Sequence, residues 1–219
     1  MNIQTLKGFR DFLPKEARKR QYVLGILKNV FESYGFEPLE TPALEYEEIL
    51  AGKYGDEGEK LMYKFQDLGG RKVAMRYDQT VPLARVVAQY QNDLPLPFKR
   101  YQIQNVWRAE NTQKGRYREF LQVDIDTVGS SSLLSDAEII AIAVKSLNAL
   151  GFSKYKILIN DRKVFDNLDK KAIVILDKLD KIGPDETKKQ LTDAGFSENL
   201  LEEIKSKKPT QNYTEILEY

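Results

Sequence analysis

The chain has 219 residues, 42% hydrophobic and 31% charged, enough to bury one good core and a small second unit. Its 34 basic and 33 acidic residues leave a formal net charge of +1, which argues against nucleic-acid binding through bulk positive charge but leaves room for a limited patch. With no cysteine and no histidine, this chain offers no disulfide, thiolate, Cys-based zinc site or histidine base, so its chemistry must use carboxylates, arginines, amides and bound ions. No apolar run approaches the ~20 residues of a membrane span, and no signal-peptide core opens the chain.

The spacing predicts a first helix from about Lys15 to Tyr34. Val23, Ile26, Leu27, Val30, Phe31 and Tyr34 form one apolar stripe, and Gly35 stops it. Pro38 and Pro42 then hold the stretch GFEPLETPALE extended. Two short strands follow, Leu61–Gln66 and Lys72–Tyr77, joined by a hairpin-like turn at Asp67, Leu68, Gly69 and Gly70. A second amphipathic segment covers Thr80–Tyr90, before the break at Pro95 and Pro97. Phe98–Arg108 and Gly115–Val128 both alternate as strands, on either side of the polar loop AENTQK. A helix then opens at a capping box, with Ser135 as cap and Glu138 three residues on. It buries Ile139, Ile140, Ala143, Val144, Leu147 and Leu150 and ends at Gly151. Lys156–Asn160 reads as another strand. From Asn167 the chain becomes Lys-rich and helix-forming, so a boundary is expected near residues 165–170, dividing 1–166 from 167–219. Strands separated from runs of helices predict an α+β fold with a largely antiparallel sheet.

Side chains alternate across a strand. On the later central strand Arg116, Arg118, Phe120, Gln122, Asp124 and Asp126 share one face, opposite Leu121, Val123 and Ile125. Its partner puts Arg100, Gln102, Gln104 and Arg108 opposite Tyr101, Ile103 and Trp107, and the earlier strand puts Ala74, Arg76 and Asp78 opposite Val73, Met75 and Tyr77. A one-sided sheet with a solvated outer face accounts for this alternation. The residue types point elsewhere: solvated strands favour Lys, Glu and Thr, whereas Arg, Gln, Asp and a Phe suit a nucleotide laid on a sheet. Arginine forks match phosphate oxygens, a ring matches a flat base, and spare carboxylates match an ammonium group.

These residues also resemble a known family. FKRYQIQNVWRAENTQKGRYREFLQVDIDTVG is similar to motif 2 of class II aminoacyl-tRNA synthetases of the histidyl type. GFEPLETPALE resembles motif 1, with Pro42 its marked proline; MRYDQTVPLAR resembles the histidine-binding loop. KGFRDFLP resembles the family's opening, and INDRKVFD the approach to its helical insertion domain. The resemblance implies the class II catalytic core, a mostly antiparallel sheet flanked by helices, followed by a partial helical insertion subdomain. It further implies a histidine–tRNA ligase using ATP with Mg2+, acting on histidine and tRNA(His), as a cytoplasmic homodimer with no membrane association and no protein-held metal. Arg108 matches the catalytic arginine on the α-phosphate, Glu110 the acid on the adenine amino group, Arg116 an arginine near the outer phosphates, and Phe120 the ring stacked on adenine. Asp78, Thr80, Gln122 and Asp126 match the groups around the substrate histidine.

Alternatives stand beside these assignments. Arg108 and Glu110 could form a plain surface ion pair, and Phe120 could belong to the core. The Lys-rich tail could be a solvated helical face or contact tRNA. No RGLDYY-like segment, glycine-rich motif 3 or anticodon-binding domain occurs in the sequence. The expectation is therefore an N-terminal fragment, ending within the insertion domain and inactive alone. A synthetase-like regulatory or sensing protein, such as the regulatory subunit of ATP phosphoribosyltransferase, is the competing class, and the presence of Arg108, Glu110, Arg116 and Phe120 weighs against it.

Overall fold

Helix α1 spans Pro14–Ser33. Proline suits a first turn, where its missing N–H would go unpaired and its φ is already helical. Gly35, at φ +75°, turns the chain out of the helix. The amides of Gly35 and Phe36 bond back to Glu32 and Phe31 at 2.9 and 3.1 Å, which tucks Phe36 (1% exposed) beside Phe31.

The computed structural model describes residues 3–51, 60–159, 168–197 and 199–206. After α1 come β1 (Glu37–Pro38), β2 (Leu44–Tyr46), α2 (Glu47–Leu50), β3 (Lys64–Gln66), β4 (Lys72–Met75), α3 (Thr80–Gln89), β5 (Phe98–Trp107), β6 (Glu119–Val128) and α4 (Leu133–Ala149). Then follow α5 (Lys170–Leu176), α6 (Leu179–Asp193) and α7 (Leu200–Ser206). The residues fall into two compact units, Met1–Tyr155 and Lys156–Tyr219. The boundary expected between 166 and 167 lies outside the described residues. Among the described residues no helix is long and apolar enough to cross a membrane.

The first unit holds two three-stranded sheets. In one, ordered β1-β5-β6, β1 runs parallel to β5 and β6 antiparallel to it. In the other, ordered β2-β4-β3, all pairs are antiparallel. Asp67 builds the turn between β3 and β4: its Oδ1 accepts the amides of Gly69 and Arg71, both at 2.9 Å. The apolar face of β5 and β6, Tyr101, Ile103, Val123 and Ile125, packs on Leu27, Val30 and Phe31 of α1 and on Ile139 and Ile142 of α4. Each such side chain fully removed from water contributes ~1.5–3 kcal/mol. Leu50, Met62, Ala74 and Val81 form a second core, joining α2, β4 and α3.

Three expectations change in detail. Strand β6 begins at Glu119 rather than Gly115, because Gly115 (φ +82°) makes a tight turn in which Gln113 and Arg116 pair their own backbones. Helix α4 begins three residues early: Ser132, not Ser135, caps it, accepting the Leu134 amide at 3.2 Å. Ser135 meets the Ser130 hydroxyl at 2.8 Å, and Glu138 pairs with Lys99 of β5 at 2.8 Å. The inner face of α4 centres on Ile142 and Ser146, leaving Ala143 exposed. Lys156–Asn160 forms no strand over its described residues 156–159; Leu158 and Ile159 are exposed, and strand-like composition alone supplies no neighbour to pair with.

The second unit is helical, with Asp169 capping α5 through the Lys171 amide (2.7 Å). Helix α6 is two helical pieces meeting at Gly183 (φ 80°, ψ 167°) ahead of Pro184. Ala172, Leu176, Leu191 and Leu201 make its core.

Candidate active site

The register of β5 and β6 decides which side chains meet. Arg100 lies opposite Asp126, Gln102 opposite Asp124, Gln104 opposite Gln122 and Val106 opposite Phe120. Residues opposite one another point to the same face, so this face gathers the polar set. Arg108 continues it just past β5, its amide bonded to the Arg118 carbonyl at 2.9 Å.

At one end the face opens into a pocket of about 480 Å³, lined by Arg10, Arg108, Glu110, Gly115, Arg116, Tyr117 and Phe120. Arg108 does not pair with Glu110. Its Nε donates to the Tyr77 carbonyl at 3.1 Å, and its guanidinium carbon lies 4.6 Å from the Tyr77 ring centroid and 5.2 Å from that of Phe120. Glu110 instead pairs with Arg116 across the loop at 3.2 Å. Phe120 is half-buried and lines the pocket rather than the core. Three arginines against one glutamate give this wall an excess of positive charge, and the rings supply a flat apolar surface. An anionic, planar ligand such as a nucleotide fits that chemistry.

The other end is closed and knitted. Asp78 Oδ1 accepts the amides of Thr80 (3.0 Å) and Val81 (3.1 Å), holding the first turn of α3 against the sheet. Thr80 itself is exposed. Gln79, fully buried, reaches across both strands, its Nε2 donating to the carbonyls of Gln104 (2.9 Å) and Gln122 (3.2 Å). Arg100 is also fully buried and joins three parts of this end. It meets Asp126 Oδ2 at 2.7 Å and donates to Gln102 Oε1 at 3.2 Å and to the Gln79 carbonyl at 3.4 Å. Burial pushes the Arg100 guanidinium below its ordinary value, against the pull of Asp126, Asp124 and Asp78. Gln122 donates to Asp124 Oδ2 at 2.8 Å, drawing into the cluster a carboxylate that the sequence assignments omit.

Asp78, Gln122 and Asp126 thus converge around Arg100, while Arg108, Glu110, Arg116 and Phe120 line the open pocket. Three arginines were missed as contributors. Arg100 stood on the predicted polar face, but alternation could not show that a loop covers it. Arg76, 3% exposed, lies under the site: it donates to the carbonyls of Thr41 (2.6 Å), Pro42 (3.1 Å) and Asn105 (2.7 Å) and to Gln104 Oε1 (3.1 Å). Arg10 comes from before α1, and no local spacing connects it to the pocket.

Mixed and antiparallel sheets with helices on the apolar face and a polar, arginine-rich face opposite define the catalytic core of a class II aminoacyl-tRNA synthetase. A solved histidyl-tRNA synthetase from Nostoc sp. PCC 7120 superposes with a TM-score of 0.81 at 36% identity, over 100% of this chain and 51% of that one. The structure titled ATP phosphoribosyltransferase regulatory subunit/histidyl-tRNA synthetase, from Bacillus halodurans, shares the fold at TM-score 0.76 and 23% identity, covering 95% of this chain and 60% of that one. The sequence profile of the histidyl-tRNA synthetase family matches residues 8–182, and the chain belongs to that family. A histidine–tRNA ligase of Treponema denticola is 49% identical over 205 residues, 90% of this chain and 46% of the relative. The chain thus spans about half the length of the curated relatives it matches.

Proposed function

We propose that this protein is a histidine–tRNA ligase, which activates histidine with ATP and passes it to tRNA(His). The observation that carries this reading is one sheet face with a cationic, ring-lined pocket at one end and a carboxylate cluster at the other. The face brings an anionic nucleotide and an ammonium-bearing amino acid side by side. In activation an oxygen of the histidine carboxylate bonds to the α-phosphorus, the bond to pyrophosphate breaks, and histidyl-adenylate forms.

Arg108 is assigned to the α-phosphate, where a fixed cation stabilises charge building on the phosphoryl oxygens. Phe120 offers its ring to adenine, Glu110 accepts from the adenine amino group, and Arg116 meets the outer phosphates once ATP displaces it from Glu110. Asp78, Thr80, Gln122 and Asp126 hold the histidine, with the carboxylates facing its α-ammonium. Magnesium would arrive with the phosphates and supply positive charge against them. The same proposal includes a homodimeric, cytoplasmic enzyme and division of the chain into catalytic core (1–166) and helical insertion (167–219), all supported by kinship.

The test is ATP–pyrophosphate exchange by the full-length gene product with each amino acid in turn. Exchange should require histidine, and Arg108→Ala should lower its rate by ~10²–10³. Histidine binding without any exchange would favour a sensor and sink this proposal.

A further inference from the structure

We infer that Arg10, from the segment ahead of α1, is a third phosphate-binding arginine of the nucleotide pocket; this rests on the nucleotide reading proposed above and deepens it. One side of the pocket comes from outside the β5–β6 hairpin and its connecting loop, and Arg10 forms it.

Gly8 brings the residue there. Its carbonyl accepts the amides of Arg118 (2.8 Å) and Glu119 (3.4 Å), stitching the segment to the start of β6. No side chain would fit this approach: a Cβ on Gly8 would stand 2.8 Å from Arg118 Cγ and 2.9 Å from Thr112 Cγ2, at a left-handed φ of +88°. Phe9 fixes the segment on its other side, edge-on to Tyr63 with centroids 6.4 Å apart. Arg10 is therefore delivered to the pocket by two anchored neighbours, while its own side chain stays exposed.

The guanidinium carbon of Arg10 lies 3.3 Å from the Tyr117 ring centroid, and no carboxylate pairs with it among the described residues. A guanidinium resting on a ring keeps its in-plane N–H donors for other partners, and that fork matches phosphate oxygens. Tyr117 directly follows Arg116, so Arg10 stands beside the arginine assigned to the outer phosphates. Of the four charged side chains lining the pocket, Glu110 is the single acid and is already engaged by Arg116 at 3.2 Å. What remains is cationic and suits a polyphosphate better than a monophosphate.

Calorimetry on the 219-residue chain and its R10A variant, with magnesium ATP and with AMP, tests this. Because the side chain is exposed, R10A should fold normally. Loss of one charge-assisted phosphate contact at an open site should weaken ATP binding about tenfold and leave AMP binding within about twofold. Equal losses for ATP and AMP would mean that Arg10 only holds the loop, and no loss for either would mean no contact; both overturn the inference while the nucleotide pocket stands. A wild-type chain that binds neither ligand would overturn the pocket reading itself.

Discussion

The two ends of the β5–β6 face are built from the same residue types and held in opposite ways. At the closed end Arg100 and Gln79 are fully buried, and strands, loop and helix share their hydrogen bonds, although Arg100 Nε and Gln79 Oε1 lack hydrogen-bond partners among the described residues. At the open end Arg116 is 57% exposed and Glu110 19%, and their pairing links only two points of one loop. A buried charge is costly without partners, so the bonds from Arg100 to Asp126, Gln102 and Gln79 tie this end to the fold. A pair with one largely solvated partner is worth little, so the contact between Arg116 and Glu110 constrains the open end weakly. One end is thus fixed by bonds between separate elements, and the other is held by a single pair within one loop.

The sharpest break is expected at the closed end. Arg100→Met removes the buried partner of Asp126, whose side chain is 33% exposed, and should cost roughly 2–4 kcal/mol, read as a lower urea midpoint at unchanged m-value. An unchanged midpoint would mean that the closed end is not stabilised by this pair. Gly8→Ala comes next. Its clash and left-handed φ should cost about 1–3 kcal/mol and speed hydrogen exchange at the Arg118 amide, with the helical unit's amides unaffected. Substituting Arg116→Ala should change stability by less than about 1 kcal/mol while weakening ATP binding, since the pair it breaks is exposed. A large loss of stability there would erase the contrast between the ends.

A further effect lies on the reverse of the same strand, is absent at neutral pH and appears only in alkali. Tyr101, 5% exposed, donates its hydroxyl to Glu32 at 2.7 Å, and burial together with that carboxylate pushes its pKa up to about 12. Because the folded value exceeds the unfolded value of about 10, the neutral phenol's contribution is complete below pH 10 and is lost as pH rises toward 12. Tyr101→Phe should flatten the stability curve across that window; identical curves for both proteins would remove Tyr101 from the account.

What the sequence revealed depended on the range of the interaction. The period-two pattern placed Phe120, Gln122 and Asp126 on one face because alternation is a property of the local backbone. The α1 stripe and its Gly35 stop were equally local. Coverage was not legible: nothing near Arg76 or Arg100 reveals that Thr41, Pro42 and Gln79 will close over them. The spacing of Ser135 and Glu138 suggested a cap at 135, whereas Ser132 takes that role and Glu138 instead pairs with Lys99 on a distant strand. Gly115 was read as strand because the residues around it alternate, whereas its positive φ made a turn.

The bond from Arg118 to Gly8 joins positions 110 residues apart. At a synthesis rate of ~5–20 residues per second, Gly8 waits on the order of 5–20 s before its partner is made. Contacts of such separation carry a larger loop-closure cost than those within the hairpin of β5 and β6. The pocket therefore cannot be completed until β6 is made, and a nascent chain carries Arg10 well before Arg108 and Arg116, the other arginines of its lining.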